Sequence, residues 1–64
     1  MANLMPLVHQ ARRTIRNRQD GNPFATDEAI ADLIEALSTA YLAAPNARVC
    51  RAIKVELDQL ETLI

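Results

Sequence analysis

The sequence predicts an all-α protein: a short N-terminal helix and an antiparallel helical hairpin, with two copies dimerising into a helical bundle. Three observations carry this. Apolar residues recur at spacings of three and four in three separate stretches. Gly21, Pro23 and Pro45 fall between those stretches, where they break helices. No segment alternates apolar and polar residues as a half-buried strand would.

The first helix is expected over residues 4–19. Leu4, Val8, Ala11 and Ile15 share one face, with His9, Arg12, Arg13, Arg16 and Asn17 on the opposite side. Pro6 is tolerable in a first turn, where its missing N–H removes no helical bond. Gly21 can take the left-handed conformation that ends a helix, and Pro23 disfavours a helical Asn22.

The second helix is expected over residues 27–44. Thr26 is a good N-cap, and Asp27 and Glu28 place negative charge at the positive end of the helix. Ile30, Leu33, Ile34, Leu37, Tyr41 and Ala44 form its apolar stripe, which Pro45 ends. Phe24 is expected to pack over the start of this helix.

The third helix is expected over residues 47–63, capped by Asn46. Val49, Ile53, Leu57, Leu60 and Ile64 repeat at four, four, three and four, close to a coiled-coil seam. Lys54 and Asp58 form an i,i+4 pair. The connection Ala44-Pro45-Asn46 is short enough to make the second and third helices antiparallel. The expected core and dimer seam is therefore Ile30, Leu33, Ile34, Leu37, Val49, Ile53, Leu57, Leu60 and Ile64.

The 64 residues make one small helical domain, 1–64. A chain this short buries only about 60% of the surface its unfolded form exposes, so its core is marginal. Small domains reinforce themselves with disulfides, metals or partner subunits. Cys50 is the only cysteine and His9 the only histidine, which excludes an internal disulfide and a Cys/His zinc site within one chain. Oligomerisation is the device left, although well-packed helices can also fold alone. Leu42 and Val55 lie off the apolar stripes and are candidates for a dimer seam or a partner contact.

Catalytic signatures are missing, so the chain reads as non-enzymatic with no cofactor and no metal. Cys50 falls on an apolar side, where an inert thiol is the ordinary state. One glycine leaves no glycine-rich phosphate loop. The N-terminal MANLMPLVHQ lacks the positive start of a secretory signal, and no run is long enough to span a membrane. A cytoplasmic location fits the lone cysteine.

Charge is the feature that points to a partner. ARRTIRNRQDG, residues 11–21, holds Arg12, Arg13, Arg16 and Arg18. Residues 1–22 carry four Arg and one Asp, a net +3; residues 23–44 carry four acids and no base, a net −4. Three destinations are open to the arginines. They can be balanced by the acidic helix, within a chain or across a dimer. They can dock on an acidic protein surface, since Arg is a favoured interface anchor. They can meet nucleic acid, although the net charge of −1 and the lack of a helix-turn-helix or an N-terminal strand weigh against it. The nominated partner contacts are Tyr41, Leu42, Arg12, Arg13 and Arg16.

The segment ARRTIRNRQDG followed by TDEAIADLIEALSTAYLAAPNARVCRAIKVELDQLETLI resembles, in general build, the small bacteriophage quorum-sensing anti-activators of Pseudomonas. That resemblance implies a homodimer that captures a host LuxR-type transcriptional activator and blocks its DNA binding. It also allows a second host target such as the type IV pilus assembly ATPase. The competing classes are a small dimeric nucleic-acid-binding protein using the first helix, and a structural or assembly subunit.

Overall fold

The computed structural model describes residues 4–64. Residues 1–3, part of the stretch read against a secretory signal, lie outside the described residues. Three helices follow one another: α1 (Met5–Gln19), α2 (Asp27–Leu42) and α3 (Ala47–Glu61). Among the described residues there is no strand.

Local chemistry explains each boundary. Pro6 sits in the first turn of α1, where no helical N–H is lost. At the other end Gly21 adopts φ +80°, the Gly21 N–H bonds the Arg18 carbonyl, and the Asn22 N–H bonds the Asn17 carbonyl. This paired arrangement is a Schellman stop, and it needs a residue free to take positive φ. Thr26 Oγ1 then accepts from the Ala29 N–H at 3.1 Å, and Asn46 Oδ1 accepts from the Val49 N–H at 2.9 Å. Both side chains satisfy donors that a helix start leaves unpaired.

α2 and α3 each end two residues earlier than the sequence suggests. Ahead of Pro45 the α2 terminus tightens, with Ala43 and Ala44 N–H groups bonding the Ala40 and Tyr41 carbonyls. Thr62 and Leu63 do the same after α3. That tightening takes Ile64 out of helical phase, and the residue expected in the seam is 69% exposed. α1 starts one residue later than expected and ends where expected; expected to be the short helix, it equals α3 at 15 residues.

The core is built by all three helices. Val8, Ala11 and Ile15 from α1 meet Ile30, Leu33, Leu37 and Ala40 from α2 and Ile53, Leu57 and Leu60 from α3. Ile34 and Val49 are half-buried against this cluster. The hairpin's apolar side is thus covered by α1 of the same chain.

Phe24 departs from expectation. It is 87% exposed and Ala25 is buried instead. Asn22 Oδ1 accepts the Phe24 N–H at 2.9 Å, a side-chain turn that points Phe24 outward and Ala25 inward. Arg18 fastens the same loop. Its Nη1 donates to the Ala25 carbonyl at 2.8 Å, and its Nη2 donates to Asp27 Oδ1.

Candidate functional site

The four arginines of the first segment divide into three roles. Arg18 is the loop fastener. Arg12 donates from Nε to Glu56 Oε1 at 2.9 Å, joining α1 to α3. Arg13 and Arg16 are exposed and form no ion pair or side-chain hydrogen bond among the described residues. Among the described residues, balance between basic α1 and acidic α2 within the chain is carried by one pair, Arg18–Asp27. Glu28, Asp32 and Glu35 stay exposed on α2 without an ion pair.

His9, Arg12, Arg13 and Arg16 line one shallow depression along α1. Arg12 also lines a second, shared with Arg48, Arg51, Ala52 and Val55 of α3. The two share Arg12, so the basic side chains of α1 and α3 adjoin there. Arg48 and Arg51, like Arg13 and Arg16, are exposed without an ion pair among the described residues. Val55, half exposed, gives the groove an apolar floor.

Glu56 is the residue that sequence reading missed. It is 6% exposed, and its Oε2 is buried without a hydrogen-bond partner. Burying a carboxylate is costly unless it is paired. Here one oxygen is paired with a guanidinium that is itself 55% exposed. A signal was present: Glu56 lies three residues after Ile53 and four before Leu60, inside the apolar stripe. Arg48 and Arg51 were also missed as site residues, because α3 carries as many acids as bases. Lys54 donates to Asp58 at 2.9 Å, and that hydrogen bond, with the Asp58 charge, raises the ammonium above its ordinary 10.5. Asp58, paired in this way, lines the surface just past Val55.

Tyr41 and Leu42 stand elsewhere. They close the C-terminal end of α2, 38% and 87% exposed, and line neither basic depression. The nominated contacts thus form two patches, an arginine face on α1 and a Tyr-Leu tip on α2. Cys50 is a half-buried free thiol.

Among the described residues no helix is long and apolar enough to cross a membrane. Comparison with models of protein families, with curated proteins and with solved structures finds no match.

Proposed function

We propose that this chain is a small non-enzymatic regulator or inhibitor that binds another protein through the basic α1/α3 face. The observation that carries the reading is the gathering of Arg12, Arg13, Arg16, Arg48 and Arg51 on one side of a small bundle, most of them unpaired. Guanidinium groups held on rigid helices lose less freedom on binding than groups on loops. Tyr41 and Leu42 supply a second, apolar contact. In its most specific form the proposal is that the target is a host LuxR-type transcriptional activator whose DNA binding is blocked, as the resemblance to phage anti-activators implies.

Affinity capture tests this. The immobilised protein and its Arg48→Glu/Arg51→Glu variant are exposed to nuclease-treated bacterial lysate. A host protein held by the parent and lost by the variant supports the reading. Retention only through nucleic acid, falling steeply with salt, replaces it with the nucleic-acid reading, which the same arginines favour.

A homodimer is part of the proposal. The uncovered apolar surface that argued for it is met by α1 within one chain. The large apolar side chains still exposed are Phe24, Tyr41, Leu42, Val55 and Ile64, of which Leu42 beside Tyr41 is the adjacent pair offered here to a second copy. A dimer mass by sedimentation at micromolar protein, lowered by Leu42→Ser, supports it. A monomer mass for the parent protein removes it.

A further inference from the structure

We propose that the α1/α3 groove is a docking site for a short acidic peptide segment. Arg12, Arg48 and Arg51 take its carboxylates, and Val55 with Ala52 takes an adjoining aliphatic side chain. The inference rests on the protein-binding reading above and names the chemistry of the partner.

Four features select this occupant. The first is charge: three guanidiniums from two helices line one concavity, and the acids nearest in sequence are occupied, Glu56 by Arg12 and Asp58 by Lys54. The second is orientation. Arg12 is gripped only at Nε, so its terminal nitrogens meet no acceptor among the described residues. A planar guanidinium held this way presents its outer edge to a carboxylate. Glu56 is a positioning residue: a buried carboxylate paired with a half-exposed arginine is a weak stabiliser, yet it fixes where that arginine points. The third is the helix itself. Arg48 lies in the first turn of α3, which carries no acid to compete for it.

The fourth feature separates a peptide from a nucleic acid. Val55 and Ala52 form an aliphatic floor between the arginines, and past Val55 the surface continues through Asp58, Gln59 and Thr62. A phosphate backbone is anionic along its whole length and favours an extended basic track. This groove instead sets an aliphatic patch among its arginines, and the surface past Val55 carries Asp58 and no base. It matches a segment in which carboxylates adjoin an aliphatic residue.

The test is fluorescence anisotropy with the full chain and three labelled probes. They are a short peptide of glutamates and leucines, its counterpart with glutamine for glutamate, and a single-stranded oligonucleotide of equal charge. The acidic peptide is expected to bind and the glutamine peptide to bind at least about tenfold more weakly. Arg48→Glu/Arg51→Glu and, separately, Val55→Asp should each weaken the acidic peptide by about tenfold or more. Glu56→Leu should weaken it severalfold by releasing Arg12, with helicity by circular dichroism unchanged in each variant.

Equal binding of both peptides overturns the proposal, and so does tighter binding of the oligonucleotide. No binding of the acidic peptide also overturns it. In that case the capture experiment tells the two claims apart. A host protein still released by Arg48→Glu/Arg51→Glu keeps the protein-binding reading and discards the acidic-peptide chemistry. Loss of both discards both.

Discussion

Glu56 and Arg12 are partners with unequal needs. Glu56 is buried with one oxygen unmet, whereas Arg12 is half in water. Removing the arginine leaves a buried carboxylate alone, so Arg12→Ala is expected to cost about 1–3 kcal/mol. Removing the carboxylate leaves only a hydrated cation and replaces a costly buried charge with apolar contact. Glu56→Leu should therefore leave stability unchanged or raise it by about 1 kcal/mol or more. Urea denaturation measures both. A Glu56→Leu protein less stable than Arg12→Ala would show that the pair holds the bundle together rather than aiming Arg12. Of this pair, the wheel position of Glu56 was readable in the sequence though missed, and its partner was not readable, because the two residues are 44 apart and periodicity says nothing about which helix meets which. The arginine run was legible as a cluster and illegible as three roles, since Arg18's turn toward Ala25 depends on how the loop closes.

Each helix is delimited by residues that act within a few positions of themselves, which is why the elements could be read in order. Thr26, Asn46, Gly21 and Pro45 all do locally what their chemistry dictates. Thr26→Ala and Asn46→Ala are each expected to lose about 1 kcal/mol of stability. Gly21→Ala should lose about 1 kcal/mol or more, because its φ of +80° strains any β-carbon although nothing crowds the space around it. A fully stable Gly21→Ala protein would mean that the α1 stop can be made another way. The outward Phe24 was misread because it depends on the Asn22 side-chain turn, and the last turns of α2 and α3 were misread for a separate reason. Stripe patterns continue past the point where backbone bonds shift to the tighter i−3 form.

At the scale of the whole molecule, the consequential finding is that α1 belongs to the core. Val8 is fully buried against the hairpin, with Ala11 and Ile15 beside it. Val8→Asp is expected to unfold the chain, since an unpaired buried charge exceeds what a domain of this size can absorb. A cooperative melt at unchanged temperature would place α1 outside the folded unit. The amphipathic pattern announced a buried face on α1, but not whether a hairpin of the same chain or a second copy would cover it. That packing also assembles the candidate site, by laying Arg12 beside Arg48 and Arg51 while the unpaired acids Glu28, Asp32 and Glu35 remain on α2.

The basic face is the central claim, and hydrogen–deuterium exchange on the captured complex tests it most directly. The expected result is slowed exchange in residues 9–16 of α1 and 48–55 of α3, with the exposed acidic stretch of α2 unaffected. Protection confined to the Tyr41-Leu42 end of α2, with α1 and α3 exchanging as in the free protein, would contradict it.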